Sequence, residues 1–289
     1  MTKEKHIQVI VSLTGGMGNQ MFQYAAGRAM SLRLSVPLVL DLSWFKRSFR
    51  SEIMTQRHYE LCNFPNLTNH RVVTPYPFPT KITKLLSAVK GEHWVKEAVT
   101  TPEKFESLNV KSSIRLIGYW QSAEYFQPVA ETLRTDFDLN YENFRSDNPA
   151  LPRLEPGATL GVHVRRGDYV TLPQHLGANR ALPISYYLNA IEHIASVRDI
   201  RLIVVVSDDP EWCCKHFTDP RCVIVNAGNR SIEDFSLLQN CDHHVISNSS
   251  FSWWAAWLAD SPNHFVVAPA KWHHDGSPFE SIQRNWITI

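Results

Sequence analysis

Two cysteine patterns are missing from this 289-residue sequence. No pair of CxxC units occurs, and the five cysteines (Cys62, Cys213, Cys214, Cys222 and Cys241) are odd in number, with two adjacent. A zinc ribbon or a disulfide scaffold is therefore not expected; reduced thiols in the cytosol are. No apolar run approaches the length of about 18 residues that spans a bilayer. The short run in "MTKEKHIQVIVSL" has strand length and lacks the h-region and cleavage site of a signal peptide. Nor is one sign of charge in excess. Lys and Arg number 29 against 28 Asp and Glu, so the net charge is +1. No general basic face then points to nucleic acid or anionic lipid, and any anion site has to be local. A soluble, cytoplasmic protein is expected.

What is present is an ordinary globular composition, 44% hydrophobic and 20% charged, long enough for two domains of about 150 residues. "IQVIVSL" (7–13) reads as a β-branched strand, "TGGMGNQ" (14–20) as a turn, "MFQYAAGRAMSLRL" (21–34) as a helix and "VPLVLDL" (36–42) as a second strand. That is a βαβ unit and implies a parallel sheet. Residues 43–115 carry a weaker pattern, with a Pro-rich connection at 74–80 and a helix over 82–89. "IRLIGYW" (114–120) reads as a strand, followed by a helix through 123–137 that Pro128 disfavours. The proline-rich, polar stretch 140–157 marks a boundary, giving lobes 1–150 and 151–289. The second lobe resumes the α/β rhythm. Strands are read at 158–164, 200–207, 221–226, 242–248 and 264–269, the last of them, and helices at 183–197, 231–241 and 249–260.

Ligands of open α/β sheets bind beyond the carboxyl ends of the strands, and four marked turns lie there. In "TGGMGNQ", Gly15, Gly16 and Gly18 allow a sharp turn and close approach to backbone. The dinucleotide fingerprint fails because Met21 stands where its third glycine belongs, and no GK[ST] follows for a P-loop. Asn19 and Gln20 favour a polar ligand over a turn that serves geometry alone. In "GVHVRRGDYV" (161–170), two neighbouring guanidinium groups end a buried strand and need an anion. Adjacent side chains on a strand point opposite ways. His163 and Arg165 therefore share a face as the ligand pair, and Arg166 is expected to lock the loop through Asp168. In "VVVSDDPEW" (204–212), Asp209 before Pro210 reads as a helix N-cap, and Asp208 as an acceptor for a base or ribose. Adjacent rather than D-x-D carboxylates argue against a metal. In "SNSSFSWWAAWL" (247–258), Ser249 or Ser250 caps a helix whose first N–H groups can hold an anion; Trp253, Trp254 and Trp257 are expected in the core. An arginine, a helix start and an acidic base-reader together describe a nucleoside diphosphate site.

"GGMGNQMFQYA", "GYWQSAEYF", "HVRRGDY", "SDDPEWC" and "NSSFSWWAAWL", in that order, resemble the motif set of the family 11 glycosyltransferases, which are bacterial and animal α-1,2-fucosyltransferases. The resemblance covers residues 13 to about 272. It implies an α/β fold of GT-B type, two facing Rossmann-like lobes with parallel sheets. The N-terminal lobe would lie on the acceptor side and the C-terminal lobe would bind GDP-fucose. It further implies inverting transfer of L-fucose from GDP-β-L-fucose to the 2-hydroxyl of a galactose in a glycan acceptor, with no cofactor and no required metal. By position, Arg165 would hold the β-phosphate. Kinship with the α-1,6- and protein O-fucosyltransferases implies that His163 and Asp208 place the nucleotide. Ser249, Ser250 and the Phe251 amide would cradle phosphate, and Asn19, with Gly16 and Gly18, would approach the sugar. Ala255 stands where relatives often carry glycine, and the loop 171–183 has no counterpart.

Such a transfer needs charge stabilisation on the departing GDP and a base for the galactose hydroxyl. Asp168 is the candidate base, with an ion-pair role as its alternative; Glu124 and His175 are others, and a loose transition state would need none. Two rival functions stand beside this one, a transferase for another GDP-sugar and a non-catalytic GDP-sugar-binding module. Residues 80–99 alternate apolar and basic residues in a way that suits either a peripheral membrane contact or a solvated surface helix.

Overall fold

The computed structural model describes residues 7–46, 57–74, 91–109, 111–171, 180–225, 230–259, 263–273, 275 and 279–289. The chain divides into two compact units, Met1–Asp138 and Leu139–Ile289, so the change of unit precedes the boundary expected at 150. The polar, Pro-rich segment is itself anchored in the second unit. Tyr141 is buried and its Oη donates to the Pro152 carbonyl at 2.6 Å.

In the first unit, strand β1 (Val9–Ser12) leads into helix α1 (Met17–Leu34) and strand β2 (Leu38–Asp41). There follow β3 (His70–Val73), β4 (His93–Lys96), α2 (Pro102–Ser107), β5 (Ile114–Ile117) and α3 (Ala130–Asp136). All pairings among the described residues are parallel, in the order β3-β2-β1-β5-β4. The β-branched residues of β1 are buried at the centre, as a strand covered on both faces requires. Arg115 of β5 fixes the sheet internally: its Nη1 meets Asp41 Oδ2 at 2.6 Å and its Nε meets Glu92 Oε2 at 2.8 Å, with all three side chains at most 7% exposed. The helix expected through 123–137 is broken as Pro128 demands. Two 3₁₀ turns, Ala123–Tyr125 and Gln127–Val129, precede α3.

The second unit runs through α4 (Tyr141–Asp147), β6 (Thr159–Val164), α5 (Gly167–Thr171), α6 (Ile184–Ala195) and β7 (Leu202–Ser207). It continues with α7 (Pro210–His216), β8 (Cys222–Ile224), α8 (Ser231–Gln239), β9 (His243–Val245) and α9 (Ser250–Leu258). Strands β10 (Val266–Ala268) and β11 (Ile287–Thr288) complete a parallel sheet of order β11-β10-β9-β6-β7-β8. The strand at 264–269 is therefore not the last. β11 is only two residues long, too short for periodicity to reveal, and pairs in parallel with β10. Trp253, Trp254 and Trp257 lie in the core as expected.

The helix read at 82–89 falls outside the described residues. The rest of the amphipathic stretch does not continue it: residues 93–96 are β4, hydrogen-bonded to β5. No helix among the described residues is long and apolar enough to cross a membrane.

Candidate active site

The sheet of the second unit gathers its chemistry at one edge. β6 lies between β7 and β9, and the register sets Val164 opposite Ser207, so the turns after β6 and β7 leave side by side. Arg165 is the first residue of its turn. Its Nη2 reaches Asp168 Oδ1 at 2.6 Å and its Nη1 reaches Asp208 Oδ2 at 2.7 Å, while the guanidinium lies 5.4 Å from the centre of the Tyr169 ring. Burial opposes its charge, but Asp208 and then Asp168 outweigh that effect, and its pKa is raised.

Arg166 pairs apart from Arg165, as expected, but its partner differs from the one expected. Its Nε pairs with Asp209 Oδ2 at 3.0 Å and its guanidinium sits 4.1 Å over the Trp212 ring. Asp168 instead serves Arg165. The cause is positional: Asp209 caps α7, its Oδ1 accepting from the Trp212 amide at 3.1 Å, and this brings its second oxygen and Trp212 to the outer side of the turn. The Arg166 bond also lowers the Asp209 pKa.

Asp208, expected to accept from a base or ribose, is engaged within the protein by Arg165. Besides Arg165 it accepts from the Arg166 amide at 2.8 Å, and so ties the β6 turn to the β7 turn. Gly167 makes this possible, since a Cβ there would stand 2.5 Å from Asp208 Oδ2. The two neighbouring carboxylates thus diverge to different arginines. Among the described residues no His, Cys, Asp and Glu side chains cluster in a way that could hold a metal ion.

His163, buried inside β6, bonds through Nδ1 to Ser247 Oγ at 2.8 Å and lies against the Phe251 ring, with centroids 5.2 Å apart. Burial, with the neighbouring Arg165 charge, lowers its pKa to about 3, so the imidazole is neutral at neutral pH. Ser249 is the N-cap of α9, and its hydroxyl accepts from the Phe251 amide at 3.4 Å. Ser250 is the first helical residue. Tyr169 Oη donates to the Asn248 carbonyl at 3.2 Å, which joins the Arg165 turn to the approach to α9. His163, Arg165, Asp168, Asp208, Ser249, Ser250 and Phe251 are thereby brought together. Sequence reasoning passed over Gly167, Tyr169 and Ser247, which were visible only as neighbours of the motif residues. A cavity of about 590 Å³ lined by Leu188, His216 and Cys222 lies instead toward the amino end of β8, away from this chemistry.

In the first unit, Gly15 adopts φ +77° and Gly16 is the N-cap of α1. A side chain on Gly15 would stand 2.7 Å from Asn19 Nδ2. Asn19 Oδ1 accepts from Gln121 Nε2 at 2.7 Å, and Gln20, fully buried, holds the Gly15 and His58 carbonyls at 3.0 and 2.8 Å. Gly18 lies in the first turn of α1, and the Arg57 guanidinium lies 3.6 Å from where a Cβ on Gly16 would be. Arg57 is a cation the motif gave no hint of. Glu124 lies in this unit too, exposed beside the Ser122 hydroxyl. His175 falls outside the described residues.

Comparison with known proteins adds family to geometry. The sequence model described as Glycosyl transferase family 11 matches residues 83–289. An α-1,2-colitosyltransferase of Escherichia coli is 31% identical, with 97% of this chain and 98% of that protein covered. The E. coli O-antigen biosynthesis glycosyltransferase WbnK is also 31% identical, over 96% of this chain and 99% of its own length. The mouse galactoside 2-α-L-fucosyltransferase Sec1 is 28% identical over 58% of this chain and 48% of that one. Among solved structures, the α-1,6-fucosyltransferase NodZ soaked with GDP-fucose superimposes with a TM-score of 0.52 at 14% identity, covering 91% of this chain and 95% of that one. The two parallel-sheet α/β units are those of the GT-B type.

Proposed function

The chain belongs to glycosyl transferase family 11, and on that premise we propose that it transfers L-fucose from GDP-β-L-fucose to the 2-hydroxyl of a galactose in a glycan acceptor, with inversion and without a metal. The observation that carries this reading is Arg165, a guanidinium at the carboxyl end of β6, aimed by Asp168 and Asp208. Its five N–H donors exceed what two carboxylate contacts take, so a β-phosphate can share it. The Ser249-capped start of α9, joined to the Arg165 turn through Tyr169 and Asn248, offers backbone N–H groups as well. As the fucose–phosphate bond loosens, charge gathers on GDP, and these donors stabilise it before and during departure.

In this reading His163 and Asp208 position the turn against the nucleotide, and Gly16, Gly18 and Asn19 meet the sugar. Asp168 either takes the galactose hydroxyl proton or, as its 2.6 Å bond favours, holds Arg165 in place. Asp168→Asn separates the two. A lost base leaves donor hydrolysis intact while abolishing transfer, whereas a lost support weakens both together. The first test is GDP release from GDP-fucose with lactose, comparing the wild type with Arg165→Ala and identifying the linkage by NMR. Turnover that depends on lactose and collapses in the variant is expected. GDP binding without turnover would instead indicate a non-catalytic module.

One observation favours a second reading of the donor. The relative matching 97% of this chain is named for colitosyl transfer, and colitose is fucose without its 3-hydroxyl. Competing GDP-fucose against GDP-colitose, at equal concentrations, decides which sugar this chain uses.

A further inference from the structure

Among the described residues one aromatic side chain stands in solvent. Tyr119 is 47% exposed, while every other described Phe, Tyr and Trp is buried or half-buried. Its backbone is held with unusual firmness for a surface residue. The Glu97 carboxylate accepts from the Tyr119 amide at 2.7 Å and from the Gln121 amide at 3.0 Å. Gln23 Nε2 donates to the Gly118 carbonyl at 3.0 Å, and Gln121 Nε2 to Asn19 Oδ1 at 2.7 Å. The flanking residues take left-handed backbone, Gly118 at φ +145° and Trp120 at φ +58°. Such a conformation in a tryptophan persists only where the surroundings enforce it. Here the Trp120 side chain is fully buried, 5.2 Å from the Phe105 ring and 5.0 Å from the Tyr125 ring.

The loop is thus fixed on both sides of Tyr119, by Gly118 and Gln121 backbone bonds and by the buried Trp120 ring, while the Tyr119 ring faces outward. It lies at the carboxyl end of β5, the strand beside β1, and Gln121–Asn19 links it directly to the Gly-rich turn after β1. The held ring offers a flat, partly apolar face to solvent, which a ligand with an apolar face of its own can cover. A galactopyranose has one, the contiguous C–H patch at C3, C4 and C5, and a rigid ring meets it with little loss of side-chain freedom.

We propose that Tyr119 is an acceptor-specificity residue, its ring stacking on a galactose ring of the glycan acceptor. The proposal rests on the glycan-acceptor reading above.

The test compares wild type with Tyr119→Ala, Tyr119→Phe and Tyr119→Trp in two measurements: saturation-transfer NMR with lactose and N-acetyllactosamine, and kinetics with each substrate varied. GDP affinity and thermal unfolding report an intact fold. Stacking of this kind predicts loss of saturation transfer in Tyr119→Ala and an acceptor KM raised about tenfold. The donor KM stays unchanged, and Phe or Trp retains the wild-type behaviour. Lost saturation transfer in Tyr119→Ala supports the platform even if the wild type turns over neither sugar, in which case the transfer reading fails alone. An unchanged acceptor KM, a rise in the donor KM in its place, or a wild type that hydrolyses GDP-fucose yet saturates neither sugar overturns the platform and leaves the enzymatic reading standing.

Discussion

Arg165 and Asp208, forty-three residues apart in sequence, meet at 2.7 Å where the turns after β6 and β7 run together. The contact joins two strand ends into one hydrogen-bonded unit. Asp208 also takes the Arg166 amide, so its carboxylate sets backbone and guanidinium at once. The adjacent His163 remains uncharged and adds no competing cation.

Removing the guanidinium should therefore cost far more in rate than in stability. Arg165→Ala is expected to lower kcat by about a hundredfold or more, the usual scale for a lost transition-state donor. Arg165→Lys should recover little, because one ammonium cannot span two diverging carboxylates and a phosphate. Single-turnover GDP release checks both. Rates within a few-fold of wild type would remove Arg165 from the mechanism.

Gly167→Ala is expected to act on the same unit from the side. The added Cβ would meet Asp208 Oδ2 at 2.5 Å, forcing that carboxylate away from Arg165 and the Arg166 amide. Overpacking of this kind costs about 1–3 kcal/mol, measurable by denaturant unfolding, and GDP binding should weaken with it. In an Asp208→Asn background the glycine change should cost less than in the wild type, since the two sites share one contact. Strict additivity would show that Gly167 acts elsewhere.

How much of this was legible in the sequence follows from what each feature depends on. β1, β6 and β7 are largely buried and read as mainly apolar runs. β3 and β4 are half-exposed edge strands, so residues 43–115 showed no clear period. At the site, local rules sufficed for the Asp209 cap, the Ser249 cap and the divergence of Arg165 from Arg166. The pairing of each arginine was not legible, because it depends on the Val164–Ser207 register between strands. Local proximity favoured Arg166 with Asp168, and the register overruled it. The role of Glu97 was hidden for the same reason, since its carboxylate serves a loop more than twenty residues away.

Acid should destabilise the fold partly through His163. Its folded pKa is about 3, below the unfolded value of about 6.5. Between these values the unfolded chain binds the proton that the folded chain refuses. Stability is thus complete above about pH 6.5 and falls as pH drops toward 3. His163→Gln should flatten the dependence of unfolding free energy between pH 6.5 and 4.5. It should not abolish it, because buried His244 is also held well below its ordinary value. An unaltered slope in the variant would mean that His163 charges in the folded state.

Chelation should leave the reaction untouched. Asp208 and Asp209 are neighbours in sequence, yet their carboxylates are turned to different arginines, and both oxygens of Asp209 are engaged, one by Arg166 and one by the Trp212 amide. A divalent ion would have to break a helix cap and two ion pairs to use them jointly. GDP release in the presence of EDTA is therefore expected to match the untreated rate and to gain nothing from added Mg²⁺ or Mn²⁺. Asp209→Ala should cost about 0.5–2 kcal/mol through the lost cap, read by thermal unfolding, while kcat stays within a few-fold. A rate lost in EDTA, restored by Mn²⁺ and abolished in Asp209→Ala would instead make this pair a metal site, with the arginines as its resting counter-charges.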